Sequence, residues 1–235
     1  MNRARLYDEQ FARGFPSSWE MTVLSDCLGS AKTLLDVGCG TGRHVVALAQ
    51  SGLRILAVDM DKEYVEAAKE KIRSKRLIDA VDLMIVDARH IPLGEVSFDA
   101  VVCMGNVLGD VGVKRQDRIA IVEETIRVAG SDAVFIIELV HRYWRPSDLL
   151  VWLLRYLITS LGRLAGKPVE YGDYTEAIRF NGHADKLTFH AFTTGEARQL
   201  LASRGFNVRV ERRGRFFHDW FIIVAKQNDG RYEVS

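Results

Sequence analysis

Leu34-Leu35-Asp36-Val37-Gly38-Cys39-Gly40-Thr41-Gly42-Arg43 joins a short apolar strand to a glycine turn, and the apolar-periodic segment His44-Val45-Val46-Ala47-Leu48-Ala49 follows at once. Glycines at 38, 40 and 42 let the backbone turn through conformations that a Cβ resists, and they leave room for a ligand to touch the main chain. A nucleotide-like ligand is the first hypothesis. A tight strand-to-helix turn built for packing alone uses the same residues, so spacing must decide. A dinucleotide fingerprint of the form G-x-G-x-x-G needs its third glycine where Arg43 stands. This chain places it one residue earlier and adds an acid, Asp36, before the first glycine.

The next strand pattern, Arg54-Ile55-Leu56-Ala57-Val58, ends at Asp59, and helical spacing follows through Tyr64, Val65, Ala67 and Ala68. A carboxylate about 20 residues beyond the glycines can accept both hydroxyls of a ribose. Asp61 is placed to cap the helix that follows, which is compatible with that role. A third apolar run, Val81-Asp82-Leu83-Met84-Ile85-Val86, ends at Asp87-Ala88. Three successive strand ends thus carry an acid, and parallel strands bring their carboxyl ends to one crevice.

The turn Asp36-x-Gly38-x-Gly40-x-Gly42, with Asp59 and Asp87 after it, resembles the motifs of class I S-adenosylmethionine-dependent methyltransferases. The resemblance implies a three-layer, Rossmann-like α/β fold around a seven-stranded sheet whose last strand is antiparallel. It also implies S-adenosyl-L-methionine as cofactor, held by Asp36, Gly38, Cys39, Gly40, Gly42, Asp59, Met60, Asp87, Ala88 and Met104. In such proteins the acid at position 87 accepts from the adenine amino group.

The 235 residues, 48% hydrophobic and 27% charged, are read as one domain over 1–235 with a sizeable core. With 32 basic and 31 acidic residues, no global field favours nucleic acid or an anionic membrane. Arg204, Arg209, Arg212, Arg213 and Arg215 cluster locally and read as a charged, solvated hairpin. Cys27, Cys39 and Cys103 lie far apart without metal-ligand spacing, so neither a disulfide framework nor a metal site is expected. The first eight residues lack the apolar core of a signal peptide, and the expected location is cytoplasmic.

Strand patterns fall near 33–37, 54–58, 81–86, 98–103 and 132–140 with helical segments between, and a helix at 194–204 leads to paired strands near 206–212 and 216–226. Residues 141–192 interrupt this alternation. In the resembled family that stretch supplies a substrate lid, so a helix-plus-hairpin cap is expected there. Residues 149–161 are strongly apolar but too few to span a bilayer, which takes about 20. They are expected to form a buried or lid helix rather than one lying in a membrane interface or a dimer contact. Val169–Phe180 and His183–Phe192 flank Asn181-Gly182, a hairpin signal.

Met104-Gly105-Asn106 follows the fourth strand, and His141-Arg142-Tyr143 follows the fifth. These ends look like the glycine N-methyltransferase branch of the family, by which Asn106 and Arg142 are expected to hold an amino-acid carboxylate. An arginine fork suits that task. Asn106 is not followed by two prolines and an aromatic residue, which argues against exocyclic base amines as acceptor. A small-molecule acceptor, an amine or amino acid, is therefore expected, with a homodimer compatible with the apolar helix. The sulfonium's leaving group is neutral, so catalysis is mainly alignment, and a base is needed only for a protonated acceptor. His141 and Tyr143 are the expected catalytic pair, with His183 and His190 as further imidazoles. A partner-dependent cofactor-binding subunit, an RNA methyltransferase and a nicotinamide-dependent oxidoreductase remain as alternatives, although the last lacks its glycine spacing and a Tyr-x-x-x-Lys pair.

Overall fold

The computed structural model describes residues 4, 8, 16–94, 98–110, 114–130, 132–142, 148–166, 170–180, 183–212 and 220–227. Ser17 opens α1 (Ser18–Leu28), its hydroxyl accepting from the Glu20 amide while the Glu20 carboxylate accepts from the Ser17 amide. There follow β1 (Thr33–Val37), α2 (Arg43–Gln50), β2 (Arg54–Asp59), α3 (Lys62–Ser74), β3 (Val81–Ile85) and β4 (Ala100–Cys103). A 3₁₀ turn at Val107–Gly109, α4 (Arg115–Ala129) and β5 (Val134–Val140) complete the alternating half. Beyond it lie α5 (Asp148–Leu164), β6 (Asp173–Phe180), β7 (His183–His190), α6 (Thr194–Ala202), β8 (Phe206–Arg212) and β9 (Trp220–Gln227).

Seven strands form one sheet in the order β3-β2-β1-β4-β5-β9-β8. β3, β2, β1, β4 and β5 pair in parallel, and β9 runs antiparallel between β5 and β8. This is the expected α/β architecture with its antiparallel last strand. The parallel strands are buried on both faces, which is why they read as continuous apolar runs rather than as alternation. Side chains at adjacent positions serve opposite layers. Leu35, Phe135 and Ile137 pack with Ile121 and Val122 of α4 and Leu200 and Leu201 of α6, whereas Leu34 and Ile136 pack with Leu24 of α1, Leu48 of α2 and Ile72 of α3. Fully burying one such side chain stabilises the fold by about 1.5–3 kcal/mol.

β4 begins two residues later than the sequence pattern suggests because Asp99 turns to cap the sheet edge. Its carboxylate accepts from the amides of Lys32 and Thr33 and from the Thr33 hydroxyl. The expected start of the last strand, near residue 216, lies outside the described residues, together with Arg213 and Arg215.

The insertion contains the expected helix and hairpin, with β6 and β7 paired antiparallel from Asp173–His190 to Phe180–His183. Of the two alternatives expected for the helix, buried or lid, the structure departs from the first: α5 is largely exposed. Among the described residues Trp152 is its buried apolar side chain, covered by the Arg142 guanidinium 5.7 Å from the ring centroid. Tyr156 stacks on Tyr171 at 4.8 Å, and Ser160 bonds the Tyr171 hydroxyl. Those three positions occupy one side, so the stripe Leu150, Leu153, Leu154, Leu157, Ile158, Leu161 and Leu164 is turned to solvent. Among the described residues no helix is long and apolar enough to cross a membrane.

Candidate active site

The glycine turn sits at the carboxyl ends of β1, β2 and β4. Gly38 and Cys39 both donate their amides to the Val58 carbonyl, which ties the turn to β2. Gly38 and Gly40 both have positive φ, at 73° and 53°, but they answer to different constraints. A Cβ on Gly38 would lie 2.5 Å from the Val107 side chain, so that position is set by packing under the 3₁₀ turn. A Cβ on Gly40 would meet no atom within 4 Å, so open space lies before that backbone.

Two acids stand behind the turn. Asp59 is half-buried; one oxygen accepts from the Gly40 amide at 2.8 Å and the other from the Asp61 amide at 2.9 Å. Burial raises its pKa, the two amides oppose that, and the charges of Asp61 and Asp110 add to it. Asp36 is 2% exposed. Its pKa is pushed up to about 7, first by burial and then by the charge of Asp59, with Arg43 acting the other way. Among the described residues nothing donates a hydrogen bond to the Asp36 carboxylate, and it faces a cavity of about 20 Å³ also lined by Arg43, His44, Cys39, Thr41 and Met104. An unanswered carboxylate next to a small polar cavity is a costly arrangement unless a cation or donor is supplied from outside. The residues present therefore fit a ligand that offers an ammonium group at Asp36 and a face to Gly40.

Next to that cavity lies a buried cluster in which sequence reasoning saw no site: Glu20, His44 and Glu138. Burial opposes charge on Glu20, but hydrogen bonds from His44 and Ser17 outweigh it and keep this carboxyl ionised. Burial and its contact with Glu20 drive the Glu138 carboxyl upward, so it stays protonated at neutral pH. Burial likewise keeps His44 neutral, with Nε2 3.3 Å from Glu20. Glu138 accepts from the Gly105 amide at 2.8 Å, linking the ends of β4 and β5. The only sequence signal was an acid inside each of two apolar runs, which periodicity treats as noise.

Other expected site residues are placed differently. Asp87 lies at the end of β3, but Arg89 fills both its oxygens, through its amide and Nε on one and Nε and a terminal nitrogen on the other. Arg89 also reaches Asp117 of α4. The Asp87 carboxylate is thus committed to Arg89 rather than open to an adenine amino group. Asn106 is buried with φ 61°; Oδ1 accepts from the Val140 amide at 3.2 Å and Nδ2 donates to the His190 carbonyl. Arg142 donates to the carbonyls of Ala191 and Tyr171 and to the Glu196 carboxylate at 2.7 Å. Both side chains, expected to hold a substrate carboxylate, instead fasten the insertion to the end of β5. Met104 and Cys39 are buried at the turn, and burial pushes the Cys39 thiol up. Met60 is 70% exposed beside Asp59, and Ala88 packs partly against the core.

His141 is half-buried, bridged through its backbone to Phe192 and edge-on to Phe221 at 5.5 Å. Tyr143 lies outside the described residues, and nothing is described of the His183 side chain. His190 is buried between Asp173 at 3.0 Å and Glu196 at 2.9 Å. Burial lowers its pKa, yet these two carboxylates outweigh burial and raise it. Glu170, Asp173 and His190 offer ligand atoms close enough for a metal ion, a cluster the sequence spacing did not reveal. Arg118, however, donates to Glu170 and occupies it as an ion-pair partner. Arg118, Arg142, Glu170 and Glu196 line a groove of about 1320 Å³ between α4, α6 and the foot of the insertion.

Residues 34–146 match the family model described as a methyltransferase domain. The match takes in just under half of the chain, from β1 through β5, and so falls on the alternating half that carries the glycine turn. The chain is similar to the ribosomal protein L11 methyltransferase of Thermotoga maritima, 33% identical over 130 residues, or 54% of this chain and 45% of that protein. It is also similar to the norajmaline N-methyltransferase of Rauvolfia serpentina, 31% identical over 130 residues, covering 53% of this chain and 42% of that one. The chain thus spans less than half the length of these relatives. The methyltransferase fold itself extends further: a SAM-dependent methyltransferase from Methanosarcina mazei superposes with TM-score 0.68 and 24% identity over 87% of this chain and 97% of its own.

Proposed function

We propose that this chain transfers a methyl group from S-adenosylmethionine to a small-molecule acceptor, an amine or amino acid, by in-line displacement. The observation that carries the reading is the buried Asp36 carboxylate, which has no donor among the described residues and lies beside the open space at Gly40. Bound there, S-adenosylmethionine supplies an electrophilic methyl carbon and a neutral thioether leaving group. The chain's own residues bind and orient. Asp36 holds the ammonium of the methionine end and Arg43 meets its carboxylate. Each Asp59 oxygen keeps a second acceptor site beyond its amide bond and takes a ribose hydroxyl. Met60 offers an exposed apolar surface to the adenine, with Ala88 beyond the same end of the neighbouring β3. Holding the reactants in line contributes about 7–11 kcal/mol to lowering such a barrier.

An acceptor amine that arrives protonated must lose its proton, and His141 at the end of β5 is the group assigned to take it. A small acceptor is supported by the similarity to the norajmaline N-methyltransferase of Rauvolfia serpentina. The similarity to a ribosomal protein L11 methyltransferase favours a second reading, in which the acceptor is a protein. Incubation with methyl-labelled S-adenosylmethionine and parallel panels of amino acids, amines and basic proteins separates them. Label in a low-molecular-weight product, lost in Asp36→Ala, is the expected result. Label in protein alone supports the second reading, and binding without transfer to any acceptor contradicts both.

A further inference from the structure

His44 stands in the first turn of α2, two residues beyond Gly42, and is 5% exposed, yet one of its two ring nitrogens goes unused. Nε2 lies 3.3 Å from Oε1 of Glu20, while Nδ1 has no partner among the described residues. The surroundings of Glu20 assign the proton of the imidazole. Oε2 of Glu20 accepts from the Ser17 amide, and an ionised carboxylate can only accept from His44 as well. Burial lowers the pKa of His44, and the charge of Arg43 helps to keep the ring neutral against the hydrogen bond to Glu20. A neutral imidazole that donates through Nε2 carries a lone pair on Nδ1, so His44 offers a second acceptor rather than a second donor.

His44 also borders the cavity of about 20 Å³ beside Asp36. A space of that size holds one small polar group. Its border already includes a buried acceptor without a donor among the described residues, the Asp36 carboxylate. With Nδ1 of His44 there are two, and each is costly while unanswered. One small group that answers both must carry at least two N–H or O–H donors, and next to a carboxylate it gains from a positive charge. An ammonium meets all of these demands. A hydroxyl leaves one acceptor unanswered, and a carboxylate leaves both.

We propose that His44 is a ligand-binding residue: its Nδ1, together with Asp36, accepts from the ammonium at the amino-acid end of the adenosyl ligand. Glu20 holds His44 in the tautomer that this requires. The inference rests on the proposed S-adenosylmethionine site, and its test reads binding rather than turnover. Calorimetric titration compares S-adenosylhomocysteine with methylthioadenosine, which shares the nucleoside and thioether but has no amino-acid end. Glutamine at position 44 sets an N–H where the imidazole has Nε2 and keeps the bond to Glu20, but it puts no acceptor at Nδ1. Asparagine reaches the Nδ1 position instead. His44→Gln should therefore weaken S-adenosylhomocysteine at least about tenfold, as loss of a hydrogen bond to a charged group does, and leave methylthioadenosine unchanged. His44→Asn should hold S-adenosylhomocysteine within about threefold of the wild type, whatever it loses in melting temperature. Nitrogen NMR of the wild type should show His44 with its proton on Nε2. A proton on Nδ1 overturns the proposal, as does His44→Gln weakening both ligands alike or neither. A folded wild type that binds neither ligand overturns the adenosyl site itself, and the role of His44 with it.

Discussion

Gly38 and Gly40 are two residues apart in one turn, yet substitution should separate packing from ligand binding. Gly38→Ala forces a Cβ into Val107 at a positive φ and should cost about 1–3 kcal/mol of stability, visible as a lower melting temperature. Gly40→Ala meets no protein atom and should cost about 1 kcal/mol for its backbone conformation, while weakening cofactor binding by more than that. Equal effects of both variants on stability, with no loss of affinity in the second, would contradict the assignment. Asp36 makes a pH prediction. Its carboxyl ionises near pH 7, and the ammonium-bearing ligand binds the ionised form. Affinity should therefore be constant above that pH and fall as pH drops through it, approaching about tenfold per unit, with Asp36→Asn weak and flat across the range. The glycines and Asp36 were legible because they are local in sequence. The commitment of Asp87 to Arg89 was not, because an acid at a strand end looks the same whether its oxygens are open or filled.

At the scale of elements, the junction between β5 and the insertion is a network of charges rather than a substrate cradle. Arg142, His190, Glu196 and Asp173 join the start of the insertion to β6, β7 and the first turn of α6, with Arg118 and Glu170 at their side. Arg142→Ala leaves two backbone carbonyls unanswered and Glu196 with His190 alone, and should cost about 1–3 kcal/mol in urea unfolding. His190 has a raised folded-state pKa, so its contribution is complete below the ordinary value of 6.5 and is lost as pH rises through the folded value. Asp173 and Glu196 are shifted downward, chiefly by their bonds to His190 acting against burial. Their contribution is complete above 3.8 and 4.5 and is lost as pH falls through their folded values. Stability measured against pH should therefore be greatest between about 4.5 and 6.5 for this junction, and His190→Gln should flatten that maximum. A profile unchanged by the variant would remove the junction from the stability account. Sequence spacing located the helix and hairpin correctly because apolar periodicity and Asn181-Gly182 are strong local signals. It could not say which side of α5 would face the protein, since that depends on Arg142 and Tyr171, distant partners that meet it only in three dimensions.

On the scale of the whole molecule, the sheet order follows from short right-handed crossovers between buried parallel strands, and the ligand site follows from the sheet order. Asp36 and Asp59 come together because β1 and β2 are neighbours ending on the same edge. The strand-helix alternation was readable almost entirely from hydrophobic runs. The buried cluster of Glu20, His44 and Glu138 was not, because α1 and β5 lie over 100 residues apart in sequence and meet only in the folded core. The central claim is that Asp36, the open Gly40 face and Asp59 form an adenosyl-ligand site. Calorimetric titration of the wild type and Asp59→Ala with S-adenosylhomocysteine, with NAD as control, tests it most directly. The account predicts micromolar binding of the adenosyl ligand, at least about tenfold weaker in the variant, and none of NAD. A folded wild-type protein that binds no adenosyl ligand, or that binds NAD in its place, would contradict it.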